Sequence, residues 1–174
     1  MSDVEIRPTV PADLDPLAEV LVQVHSADGY PVEGVSDPHA WLELGSPLGQ
    51  WTALIAGDPV GHVALLRPAP ADAALGMLAG LGPAKEVAVV ARLFVSPSHR
   101  GRSVASKLMG AVAKFASSQN LQLVLDVMLK DRAAIQLYEQ LGFKVIGRLQ
   151  HDDGTGNSVP AIAMAGPLRD EGGD

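Results

Sequence analysis

Two arginines flank a glycine in Arg100-Gly101-Arg102-Ser103. The residues before them, 91–95, form an apolar run that Pro97 breaks, and residues 104–108 open an amphipathic stretch. A strand, a glycine-bearing turn and a helix start in that order make an anion site. The first amides of a helix have no intrahelical partner, and its dipole places partial positive charge at the same point. The backbone N–H groups of residues 102–106 (Arg102, Ser103, Val104, Ala105, Ser106) are therefore expected to hold a phosphate beneath Arg100 and Arg102. The competing reading is an ordinary strand–turn–helix with basic surface residues. The loop is neither G-x-x-x-x-G-K-[ST] nor G-x-G-x-x-G, so mononucleotide and dinucleotide readings fit less well.

Two further side chains could carry chemistry. Asp126 is the one acid in the apolar run 121–128. A carboxylate on a covered strand is costly unless it is paired or used, so Asp126 is either a base or half of an ion pair with Arg92 or another basic group. Tyr138, one of two tyrosines, shares a helical face with Ala134 and Leu141. Its hydroxyl points inward, where it needs a partner. Glu86 is a second candidate base. His25, His39, His62, His99 and His151 have no metal-site spacing, and His99 reads as an exposed turn histidine that could assist a phosphate. The chain has no cysteine, so disulfides, thiolate metal sites and a cysteine nucleophile are excluded.

The elements that must position these groups follow from pattern. With 174 residues, 47% of them apolar, one domain with a substantial core is expected. It should span residues 1–168, with a frayed tail at 169–174. The formal charge of −7 argues against a general nucleic-acid or anionic-membrane binder. The N-terminus has no apolar signal segment and no run is long enough to span a bilayer, so a soluble cytoplasmic protein is expected.

Residues 4–8 read as a strand. A helix with its apolar stripe at Leu14, Leu17, Ala18, Leu21, Val22 and Val24 follows. Residues 26–50 form a turn-rich excursion with a short helix after Asp37, either a substrate lip or a surface loop anchored by Tyr30 and Trp41. Residues 51–56 and 60–66 make a hairpin, and 67–84 a long connection with a short helix at 73–81. A strand over 85–95 feeds the central turn. Beyond it come a helix with Val104, Leu108, Ala111, Val112 and Phe115 inward, a strand covered on both faces at 121–128, and a helix at 131–141 that Asp131 caps. Two closing strands lie at 143–149 and 159–165. The fold class is α/β, with a mixed sheet of about seven strands, antiparallel early and late and parallel around the central turn.

Two segments resemble the GCN5-related N-acetyltransferase (GNAT) superfamily. Its first signature is [Arg/Gln]-x-x-Gly-x-[Gly/Ala] between a strand and a helix. Here it follows Leu93-Phe94-Val95 as Arg100-Gly101-Arg102-Ser103-Val104-Ala105. Its second, Asn-x-x-Ala-x-x-Leu-Tyr-x-x-x-Gly-Phe, stands as Asp131-Arg132-Ala133-Ala134-Ile135-Gln136-Leu137-Tyr138-Glu139-Gln140-Leu141-Gly142-Phe143. The resemblance implies a GNAT fold that binds acetyl-CoA, its pyrophosphate on the central turn. It implies that Leu93, Phe94 and Val95 present backbone groups to the pantetheine arm from a strand splayed off its neighbour, with Asp131 and Ala134 beside the arm. It implies that Tyr138 protonates the departing thiolate. In the ribosomal-protein branch an acid stands where Asp126 stands here, in Leu125-Asp126-Val127.

Two positions depart from the pattern. Ser103 replaces the preferred Gly, a strain if φ is positive there. Asp131 replaces Asn and, when ionised, only accepts hydrogen bonds. The resemblance implies direct transfer of an acetyl group to a primary amine on a small molecule or peptide, and allows a homodimer. A non-catalytic acyl-CoA sensor, and an interaction domain with a decayed cofactor site, are the alternatives.

Overall fold

The computed structural model describes residues 3–69, 76–77 and 86–166. Its strands are β1 (Val4–Pro8), β2 (Gly49–Ile55), β3 (Asp58–Leu66), β4 (Val87–Val95), β5 (Gln122–Met128), β6 (Lys144–Asp152) and β7 (Ser158–Ala165). Its helices are α1 (Leu14–Asp28), α2 (Pro38–Leu42), α3 (Val104–Ser118) and α4 (Arg132–Gln140). One sheet runs in the order β1-β2-β3-β4-β5-β7-β6. Among the described strands only β4 and β5 pair in parallel; the other neighbouring pairs are antiparallel. This is the mixed seven-stranded sheet that the apolar patterns predict. The tail, and all but Gly76 and Met77 of the helix expected at 73–81, lie outside the described residues. No described helix is long and apolar enough to cross a membrane.

Strand side chains alternate between faces, and the two faces bury against different helices. Ala53, Val63, Leu65, Ala88, Val90, Leu123, Leu125 and Val127 pack with α3 and with Tyr138 of α4. On the opposite face Leu17, Val20, Leu21 and Val24 of α1 close over Phe94 with Leu42 of α2. Fully buried leucines such as Leu17 and Leu108 each stabilise the fold by about 2 kcal/mol. In α3, Met109 and Ala116 widen the expected stripe. In α1, Val22 is exposed instead of buried, because it lies one residue, or about 100° of helix, beyond Leu21.

Buried Asp13 fixes the start of α1. It accepts two hydrogen bonds from Arg7, at 2.7 and 2.9 Å, and others from the Val10 amide and the Thr52 hydroxyl. Burial pushes its carboxyl up, but these donors outweigh that and hold it below the ordinary value.

Candidate active site

The site is opened by a break in the sheet. Pairing of β4 with β5 ends at Val89–Val124, although β4 runs on to Val95 and β5 to Met128. From Val90 onward the β5-facing edge of β4 has no described strand paired with it. A β-bulge accompanies the break. Arg92 has φ 57, a left-handed value that L-residues seldom adopt, and the β3–β4 register shifts between His62 and Ala64. His62 pairs with Phe94 and Ala64 with Ala91, so three steps along β4 match two along β3. The extra residue reverses the alternation. Ala88 and Val90 face α3, yet Phe94 faces α1. The splay expected around Leu93, Phe94 and Val95 is thus present.

The turn after β4 comes next. Gly101 has φ +78, and a Cβ placed there would meet nothing within 4 Å. Ser103 has φ 60 and ψ 23, so the position does require a left-handed backbone; its hydroxyl makes no cap bond. Val104, the first residue of α3, is buried while Arg102 and Ser103 are exposed. The first amides of α3, on Val104, Ala105 and Ser106, precede the first intrahelical bond, from the Lys107 amide to the Ser103 carbonyl, and lie next to this turn, which fits a phosphate group. Arg100 behaves differently from the expectation. Its guanidinium grips both oxygens of Asp28, at the end of α1, instead of standing over the turn. His99 is half-buried with its Nδ1 sequestered and unpartnered, not an exposed turn residue.

On the α3 side of the sheet, Tyr138 is buried against Phe143, their ring centroids 5.8 Å apart. Burial, then the charge of Asp131, raises its hydroxyl pKa well above the ordinary tyrosine value. Ala134 packs beside it on the same core. Asp131 stands at the N-cap position of α4, but its carboxylate makes no cap bond, contrary to the expected role. It lies 3.8 Å from Lys130 Nζ. Burial raises its pKa, with Lys130 opposing and Asp28 adding to the shift. The other tyrosine, Tyr30, has a desolvated hydroxyl whose pKa is raised by burial and then by Tyr138. Sequence reading placed Tyr30 only on the lip; its proximity to Tyr138 spans 108 positions and has no local signature.

Asp126 corrects a second expectation. The strand is covered at Gln122, Leu123, Val124, Leu125 and Val127, but Asp126 itself is exposed. It shares parity with Val124, so it points away from α3 and α4, toward the face that α1 and α2 occupy. Among the described residues its basic neighbour is His151 on β6, another basic group as the sequence reading allowed, and not Arg92. His151 Nε2 lies 3.3 Å from Asp126 Oδ2, close enough for charge attraction, though it makes no aligned hydrogen bond. Arg92 is committed elsewhere: it donates to the Trp41 carbonyl and sits 4.4 Å from the centre of the Trp41 ring. Glu86 precedes β4 at the paired end, where its carbonyl accepts from the Gln122 amide, far along the strand from the gap.

Two loops meet over the α1 face. A Cβ on Gly154, in the β6–β7 turn, would lie 3.4 Å from the Glu33 carbonyl oxygen in the lip between α1 and α2. Beside the bulge, a cavity of about 370 Å³ is lined by Glu33, Asp37, Trp41, Glu43 and Arg92, among others.

A family model described as the acetyltransferase (GNAT) family matches residues 17–143. Compared by sequence with curated proteins, the chain matches none. Among solved structures it is similar to Arabidopsis thaliana NAA60 in complex with acetyl-CoA, with a TM-score of 0.74, 20% identity and coverage of 94% of this chain and 97% of that one. The ribosomal-protein-alanine N-acetyltransferase of Brucella melitensis superposes with a TM-score of 0.73 at 20% identity, over 94% of this chain and 99% of the other. The ribosomal-protein-S18-alanine N-acetyltransferase of Escherichia coli gives 0.71 at 16% identity, over 99% of both. At such identities the likeness shows the fold.

Proposed function

From the premise that this chain belongs to the acetyltransferase (GNAT) family and is an acetyl-CoA-dependent N-acetyltransferase, we propose that it acetylates a cationic primary amine, with Asp126 and Tyr138 working from opposite faces of the β4–β5 gap. The observation that carries this reading is the gap itself. It opens beside a left-handed turn and a helix start, with an acid toward one face and a tyrosine toward the other.

The turn at Gly101, Arg102 and Ser103 and the first amides of α3 would hold the pyrophosphate, and the open edge of β4 at residues 93–95 the pantetheine arm. Bound acetyl-CoA supplies a thioester whose acetyl group passes to the amine: the C–N bond forms, the C–S bond breaks, and CoA leaves as its thiol. A backbone N–H of β4 polarises the carbonyl oxygen. Asp126, with His151 Nε2 3.3 Å from its Oδ2, accepts the proton that the ammonium must lose. Tyr138, a neutral phenol because burial raises it, gives its proton to the sulfur as the C–S bond breaks and is reprotonated by the N–H proton that the new amide loses. Asp131 stands beside the arm. The carboxylates of Glu33, Asp37 and Glu43 around the cavity, and the net charge of −7, favour a cationic acceptor.

The acceptor could also be a peptide α-amine. The meeting of the lip with the β6–β7 turn favours that second reading, as does the likeness to enzymes whose names specify a ribosomal-protein alanine. Isothermal titration with acetyl-CoA, CoA and ATP tests the cofactor. Turnover with a polyamine, a lysine-bearing peptide and a peptide with a free α-amine separates the acceptors. Asp126→Asn is expected to lower kcat on the order of 10²-fold, and Tyr138→Phe about tenfold, with CoA affinity kept. Wild-type kcat in both variants would remove these residues from the mechanism.

A further inference from the structure

His62 lies on β3 with no exposed surface. Buried histidines of this kind are often mere packing, but both ring nitrogens here have defined partners. Nε2 lies 2.8 Å from the side-chain nitrogen of Gln50, and that same amide donates to the Leu42 carbonyl at 3.1 Å. An amide nitrogen only donates, so His62 Nε2 accepts and the ring proton resides on Nδ1. Nδ1–H then donates to the Arg92 carbonyl at 2.8 Å. The ring also stacks on Phe94 at 5.4 Å.

These bonds close a circuit. Arg92 is the left-handed residue of the bulge, and its guanidinium reaches the Trp41 carbonyl on α2. Gln50 reaches Leu42, the next residue of α2. The bulge is therefore gripped at its carbonyl by His62 and at its side chain by α2, and α2 is tied back to His62 through Gln50. A left-handed arginine persists only where its surroundings over-determine it, and this circuit supplies the determination.

We propose that His62 is a positioning residue for acetyl transfer: it holds the Arg92 carbonyl, and with it the bulge that turns residues 93–95 toward the gap, and links that bulge to the acceptor lip. The proposal rests on the acetyltransferase reading above. Its consequence is that the cofactor edge and the lip are set by one buried ring that touches neither substrate.

The test uses His62→Leu, which keeps bulk and removes both bonds, and His62→Gln, which can restore a donor and an acceptor. Three readouts apply: kcat and KM for acetyl-CoA with the best amine, affinity for CoA, and hydrogen–deuterium exchange over β4 and α2. His62→Leu is expected to lose about tenfold to 10²-fold in kcat, the scale of a small misplacement of reacting groups. CoA affinity should fall much less than kcat, because the pyrophosphate turn does not touch His62 and only the pantetheine edge at 93–95 shifts. Exchange should rise in β4 and α2 with β6 and β7 unchanged, and His62→Gln should recover most of the loss. Wild-type kcat and exchange in His62→Leu would overturn the proposal, and so would equal losses in every readout. Should that variant fail to fold, Gln50→Met removes the Nε2 partner and the tie to the Leu42 carbonyl while leaving the bond to the Arg92 carbonyl; a smaller loss in kcat with raised exchange in α2 supports the circuit, and wild-type values in both overturn it. If wild-type protein turns over no amine, the functional reading falls alone, and the exchange pattern decides whether His62 holds the bulge.

Discussion

Ser103 shows what one residue can and cannot disclose. The sequence marks it as a departure from Gly and makes the consequence conditional on φ; at φ 60 the condition is met. A left-handed L-residue costs about 1–2 kcal/mol, and the hydroxyl makes no cap bond in return. Ser103→Gly is therefore expected to stabilise the protein by about 1 kcal/mol, a Tm rise of about 2–4 °C for a domain of this size. Acetyl-CoA affinity should be equal or tighter, because the turn amides are untouched. Thermal melting with and without acetyl-CoA checks this, and an unchanged or lowered Tm would show that the strain is relieved elsewhere. Asp131 was harder to read. Its position at the start of α4 is legible from the pattern, but the helix signal reports neither that it makes no cap bond nor that it stands half-buried with Lys130 and Asp28 near it.

At the scale of elements, strands and helices were legible because their periods differ and because Gly and Pro punctuate them. The bulge was not. Arg92 lies inside an uninterrupted strand pattern with no glycine to mark a left-handed residue, so the alternation reads straight through it. The packing of α3 against β3 has a clearer sequence trace in Gly61. A Cβ there would sit 3.1 Å from the Phe94 carbonyl oxygen and 3.2 Å from both Val104 Cγ1 and Leu108 Cδ1. The two methyl groups can yield; the carbonyl belongs to β4 just past the bulge and cannot move without it. Gly61→Ala is expected to destabilise by about 1 kcal/mol, the low end for overpacking. It should also weaken CoA binding by tilting the start of α3. Urea denaturation beside titration with CoA measures both, and a wild-type Kd would mean that α3 absorbs the methyl without moving its first turn.

For the whole molecule, the question is how its stability responds to acid. His62 is neutral and buried; desolvation, countered by its bond to the Arg92 carbonyl, pushes it down to about 4 from an ordinary 6.5. Between those values the unfolded chain binds the proton and the folded chain does not, so stability is fully present above pH 6.5 and is lost as pH falls toward 4. A shift of that size corresponds to about 3 kcal/mol, a large share of the 5–15 kcal/mol typical of domains. Other titrating groups contribute as well. His39, raised by its bonds to Asp15 and Glu43, adds stability below pH 6.5 that is lost as pH rises through its folded value, and its exposure keeps that contribution small. Asp13, held low by Arg7, adds stability that is lost only below the ordinary carboxylate range. Asp131, raised by burial, gains stability as pH falls through its folded value and opposes the His62 loss from the acid end of this interval, so the comparison with His62→Gln is what isolates the His62 part. Denaturation at pH 7 and pH 5 should show wild-type protein losing about 2 kcal/mol, and His62→Gln losing far less because glutamine does not titrate. The same protonation would put an N–H of His62 against the Gln50 amide and break the circuit that holds the bulge, so kcat should fall in the same interval. Parallel stability curves for the two proteins would show that the acid sensitivity arises elsewhere in the chain.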